Sequence, residues 1–182
     1  MSVVNWMSWE GGIDLAGFSQ KGLEMPNVIV HFARMVHTPF GSAPSGMLLV
    51  PNEDGTPKIM AFVSSNEAIG KYFASNIFAG TPFEQAPSLV GEIAVEIDYP
   101  NATNVSVNVE GFDVNLMLSK FDELKRVNRR SPNLPFNDDS LEAEANLVQL
   151  TVNGEELSVI IPPIGLSGGP AAVYSATGIY SR

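Results

Sequence analysis

Period-two alternation, broken at short intervals by turn residues, constrains this chain more than any other feature. Ile93, Val95 and Ile97 alternate with Ala94, Glu96 and Asp98, and Val105, Val107 and Val109 alternate with Asn104, Ser106, Asn108 and Glu110. Successive side chains of a strand point to opposite faces, so each run has one dry face and one wet face. Tyr99 to Thr103 reads as the hairpin loop between them, and Phe112 to Leu118 continues the meander after Gly111. Asn27 to His37 is a further strand. Met47 to Pro51 and Ile59 to Val63 flank Asp54-Gly55, while Ala145 to Val152 and Leu157 to Ile161 flank Asn153-Gly154. Both dipeptides are hairpin signals, because tight hairpin turns need positive φ. Ala171 to Tyr180 reads as the last strand.

Helical signals are few. Ser65 or Asn66 is placed to cap a helix from Glu67 to about Phe78, with Gly80 just beyond its end. Ile69, Tyr72, Phe73, Ile77 and Phe78 form its apolar stripe. A short second helix is expected over Phe121 to Val127, followed by a surface loop from Asn128 to Asp139. The sequence therefore predicts a mainly β fold, a β-rich α+β architecture. It is either an antiparallel barrel, closed or nearly closed, or a sandwich, with one prominent helix at about 66–79. One domain over 1–182 is expected, with residues 1–12 as an apolar N-terminal arm carrying Trp6 and Trp9.

Composition narrows the chemistry. The 182 residues include no cysteine, so disulfides, thiol nucleophiles and thiolate metal sites are excluded. Charged residues make up 16% and the formal net charge is −10. Such a surface repels phosphate backbones, which argues against nucleic acid as a partner. No secretory leader or membrane-length apolar run is read, so no membrane association and a cytoplasmic location are expected. The sequons at Asn101 and Asn104 are read as ordinary turn and strand residues. The apolar arm, with two Trp that a flexible tail would waste, is expected to support a homo-oligomer, a dimer or larger.

The candidate chemical residues each have a structural alternative. His31 and His37 share one face of a strand, roughly 20 Å apart at about 3.3 Å per residue, too far for one metal ion. No metal and no cofactor are therefore expected, and His31 is either a partly buried histidine or a general base. Lys120, Lys125, Arg126, Arg129 and Arg130 concentrate half of the ten basic residues in one segment. Lys125, Arg126, Arg129 and Arg130 form a candidate anion patch, the alternative being a solvated surface. Pro162 to Pro170 is Gly-rich but carries no Lys and leads into a strand, so it lacks what a phosphate loop needs and is read as structural.

Val63-Ser-Ser-Asn-Glu-Ala-Ile-Gly-Lys-Tyr-Phe-Ala-Ser-Asn-Ile-Phe-Ala-Gly-Thr-Pro82 resembles the signature segment of acetoacetate decarboxylase-like proteins, with Asn66-Glu67 at the helix start and Gly80-Thr81-Pro82 at its end. Leu89-Val-Gly91 then opens a β-meander, as in that family. The match requires a small insertion within the helix. The resemblance implies a β-barrel with one helix over a small-molecule pocket. The family's decarboxylases form a Schiff base on the first Lys after this Pro, with an adjacent Lys lowering its pKa. Phe83 and Glu84 stand at those positions here, so the resemblance implies a binding protein without Schiff-base decarboxylation. An enzyme using other groups remains open, and the alternative is a non-enzymatic oligomeric scaffold without ligand. The expected ligand is a small carboxylate or keto compound. The expected pocket wall is His31, Phe62, Glu67, Tyr72, Phe83 and Glu84, with Glu84 as the candidate catalytic acid.

Overall fold

The structure, a computed structural model, describes residues 4–182. Twelve strands form one strongly curled sheet, with 59% of residues in strands and 6% in helical turns. The strands are β1 (Trp6–Gly17), β2 (Val28–Thr38), β3 (Gly41–Pro51), β4 (Pro57–Ser64), β5 (Ser88–Val90), β6 (Glu92–Asp98), β7 (Ala102–Val109), β8 (Phe112–Phe121), β9 (Lys125–Arg130), β10 (Asn137–Val152), β11 (Glu155–Glu156) and β12 (Ala172–Ser181). Their order is β5-β4-β3-β2-β1-β12-β10-β8-β7-β6, with β9 and β11 also paired to β10. All pairs are antiparallel except β4 with β5.

The hairpin signals explain most of this order. Asn153 and Gly154 both take positive φ, 52° and 80°, as the tight turn after β10 requires. The alternating residues of β7 bury Val105, Val107 and Val109, and those of β6 turn Glu92, Ala94, Glu96 and Asp98 to solvent. Curling brings β7 and β8 over the inner face of β1–β4. Ile13, Val30, Leu48 and Val63 there meet Val105, Leu116 and Leu118 in one aliphatic core.

Among the described residues the one α-helix, α1 (Glu67–Tyr72), continues into a π-helical turn over Phe73–Ile77. Asn66 caps it, its side-chain oxygen accepting from the Ala68 and Ile69 amides. At the other end the Arg182 guanidinium donates to the carbonyls of Ile77 and Ala79. The whole apolar stripe, from Ile69 to Phe78, is buried against the outer face of β1–β4. Among the described residues no helix is long and apolar enough to cross a membrane.

Several expectations are corrected. The sheet is an open half-barrel, not a closed or nearly closed barrel: β5 and β6 stand at its two ends and do not pair. The second helix is absent from Phe121–Val127, since β8 runs to Phe121 and β9 begins at Lys125. The apolar spacing Phe121, Leu124, Val127 imitates a helix, but the backbone groups find partners on β10, from Arg130 opposite Asn137 to Lys125 opposite Glu142. The loop expected over 128–139 is correspondingly shorter. The apolar arm is no arm from Trp6 onward. It is β1, hydrogen-bonded between β2 and β12, with Trp9 buried. Met1 to Val3 lie outside the described residues. After β11 the chain leaves the sheet, touching it again at the Phe18–Ile160 bridge, so Leu157–Ile161 is not a full strand.

Candidate functional site

On the helix-covered face the sheet carries a cavity of about 80 Å³, with a smaller one of about 20 Å³ beside it. Ile29, Met47, Phe78, Phe83, Phe136 and Leu166 give the main cavity an apolar wall. Asp14, His31, Arg129, Glu142 and Tyr180 bring polar groups to it from β1, β2, β9, β10 and β12.

A break in strand alternation aims Asp14 at this cavity. Gly11 has φ +65°, and β2 and β12 carry irregularities near the same level, after Ala33 and beside Glu142. Met7 and Trp9 therefore share the helix-side face with Asp14, whereas Ile13 and Leu15 turn to the aliphatic core. Asp14 sits directly opposite His31 across the β1–β2 ladder, and His31 Nδ1 lies 2.6 Å from Asp14 Oδ1. A carboxylate at Nδ1 fixes the proton there and leaves Nε2 free. Burial lowers the imidazole pKa, but the charge and hydrogen bond of Asp14, helped by Asp138, outweigh it, and the net result lies above the ordinary value.

Arg129 is opposite Asp138 in the β9–β10 ladder. Its Nη2 donates to both oxygens of Glu142 at 2.5 Å and lies 3.4 Å from Asp138 Oδ2. Ser140 also donates to Glu142, at 2.9 Å. Asp138 is 2% exposed, and neither of its carboxylate oxygens accepts a hydrogen bond. Burial above all, then the charge of Glu142, pushes its pKa up to about 6, against the pull of the neighbouring Ser140 hydroxyl and then of Arg129. The Gly-rich loop closes over this group. Gly169 rests on the Arg129 guanidinium, where any Cβ would collide with it, so the loop's composition has a steric reason.

Tyr180 occupies the middle of the polar row. Its ring stacks on Phe136 at 5.0 Å and 7°, meets Trp9 at 4.6 Å, and lies 6.4 Å from the His31 ring at 20°. Burial, then the negative charges of Asp14, Asp138 and Glu142, keep the phenol protonated well above its ordinary range. Trp9 is itself fixed by its indole N–H donating to Ser175 Oγ at 2.9 Å. This end of the cavity thus holds an imidazole with one free nitrogen, a neutral phenol donor and a guanidinium bracketed by two carboxylates.

The residues expected at the pocket divide. His31 and Phe83 line the main cavity and Phe62 the smaller one. Tyr72 does not reach it. Its hydroxyl donates to the Trp6 carbonyl and accepts from the Trp6 amide, tying the helix to β1. Glu67 is exposed and pairs with Lys71 one helical turn away. Glu84 is also exposed, its carboxylate accepting from the Gly80 amide in a local turn, and it does not line this cavity. The anion patch does not exist as one surface. Arg129 points inward, Arg126 turns out to Asp139 at 3.0 Å, and Lys125 and Arg130 are exposed. His37 is at the surface beside Ser42 and Glu10.

Sequence reasoning missed Asp14, Asp138, Glu142 and Tyr180. Asp14 alone left a signal, a single carboxylate inside the apolar run Ile13-Asp14-Leu15-Ala16. Among the described residues no three His, Asp or Glu side chains are grouped to hold a metal ion. No family model matches the chain, and no curated protein matches its sequence.

Proposed function

We propose that this protein binds a small neutral carbonyl or hydroxyl compound with an apolar body in the cavity between the sheet and α1. One observation carries the reading: polar groups from five strands converge at one end of an otherwise apolar cavity. Three carboxylates face one guanidinium and one imidazole there. An added carboxylate would meet more negative than positive charge, so a keto group is favoured over an acid. The resemblance to acetoacetate decarboxylase-like proteins supports the same reading, because Phe78 and Phe83, from the resembling segment and the position just after it, wall the cavity. Among the described residues no lysine lines it, and Schiff-base chemistry is not part of the proposal.

The volume limits the ligand to a few heavy atoms, each contributing at most about 1.5 kcal/mol. Titration with 2-butanone and with acetate, followed through the Trp9 indole N–H resonance, tests the reading. The ketone is expected to shift that resonance with a millimolar or tighter Kd and acetate to bind more weakly. A Trp9 resonance unmoved by 2-butanone overturns the proposal.

A further inference from the structure

We infer that the Asp14–His31 pair and Tyr180 form an acid–base site that moves a proton on and off the carbon beside a carbonyl, an activity of the tautomerase or epimerase class that rests on the ketone-binding reading above. Three geometric facts carry it. His31 Nδ1 is held by Asp14 while about a third of its side-chain surface stays accessible and lines both cavities, which presents Nε2 as the reacting nitrogen. The Tyr180 ring faces the His31 ring at 6.4 Å, within reach of neighbouring atoms of one small molecule. The Phe136 and Trp9 rings leave Tyr180 little freedom to turn away.

The step balances without a co-reactant. Neutral His31 takes a proton through Nε2 from the carbon next to the carbonyl. The C–H bond breaks, its electron pair becomes the new C=C bond, and the carbonyl π pair moves onto oxygen. The Tyr180 hydroxyl donates a hydrogen bond to that oxygen as its charge grows. The imidazolium, stabilised by Asp14, exchanges its proton with solvent and returns one to carbon. Asp14 is a positioning residue, since it touches His31 and acts through it. Burial and the three surrounding carboxylates support the role of Tyr180 as a donor that stays protonated.

The test is ¹H NMR of 2-butanone in deuterium oxide with the full chain, with the Trp9 indole N–H resonance read on a matched sample in ordinary water to show binding. Exchange of the hydrogens beside the carbonyl is expected at least about 100-fold faster than with the same concentration of free imidazole, the lower end of a positioned general base. His31→Gln should lose that acceleration while the Trp9 resonance still responds. Tyr180→Phe should lower the rate at unchanged pH dependence. Asp14→Asn should shift the acid limb of the rate profile to lower pH, because the pair raises the His31 pKa. Binding without exchange in the wild type, or full exchange in a folded His31→Gln, overturns this inference and leaves the binding reading standing. Absence of binding overturns both.

Discussion

Strands β1–β4 are covered on both faces, and the two faces are built from different materials. Toward β7 and β8 the packing is aliphatic: among the described residues only Phe32 of the fully buried side chains there carries a ring. Toward α1 it holds Trp9, Phe62, Tyr72, Phe73, Phe78, Phe83, Phe136 and Tyr180, and beside them lies the deeply buried carboxylate Asp138. Branched aliphatic side chains interdigitate to crystal-like density with few voids. On the other side flat rings meet edge to face, Phe78 with Phe83 at 88° and with Phe136 at 85°, and these rings line the cavity. The contrast teaches that one sheet can assign stability to one side and chemistry to the other, provided its central strands change parity where the polar groups are needed.

The sharpest way to break this comparison is a matched pair of truncations. Leu116→Ala opens a hole in the aliphatic face and should cost about 4 kcal/mol in urea unfolding. Phe83→Leu, at the edge of an existing cavity, should cost about 1 kcal/mol yet weaken 2-butanone binding severalfold. Equal costs would show that the two faces share the structural load.

A smaller effect separates the faces by pH. Asp138 holds its proton more tightly when folded, at about 6 against an ordinary 3.8, so its contribution to stability falls as pH rises across that window. His31, raised above 6.5, contributes fully below 6.5 and loses its contribution as pH rises through its folded value. Both trends run the same way, and the protein should be most stable in mild acid. Asp138→Asn is expected to add about 2 kcal/mol at pH 8 and to flatten the slope between about pH 4 and 6. Thermal melts across that range check it, and a melting profile steeper than wild type would contradict the assignment. The smallest expected change is Glu84→Gln, which should leave both ketone binding and stability within the scatter of surface substitutions.

Legibility in the sequence follows the same division. Dry-against-wet alternation showed β6, β7 and β8 because one side of each faces solvent, and turn chemistry located the hairpins at Gly55 and Gly154. The stripe from Ile69 to Phe78 and a cap at Ser65 or Asn66 were equally readable, as both are local, and the structure selects Asn66. The site was not. Asp14 and His31 meet only across a strand ladder, and Arg129 meets Asp138 and Glu142 across another. Asn137-Asp138-Asp139 reads as loop because buried carboxylates are rare, and here a guanidinium from the neighbouring strand overrides that expectation. The Arg-rich strand β9 read as helix and patch because its backbone partner lies elsewhere in the chain.

The central place of β12 bears on the order of assembly. β1 lies between β2 and β12, so its second edge waits for a partner some 160 residues further along the chain. During synthesis the β1–β4 hairpins and the β6–β8 meander emerge as units that can each form early, while β1 still presents unpaired amides and carbonyls. The arrival of β12 closes that seam, joins the halves through β10, and brings Tyr180 beside His31 in the same event. A nascent chain stalled before β12 would therefore be both sticky and chemically incomplete, with its proton-handling centre assembled only when the two halves are clasped.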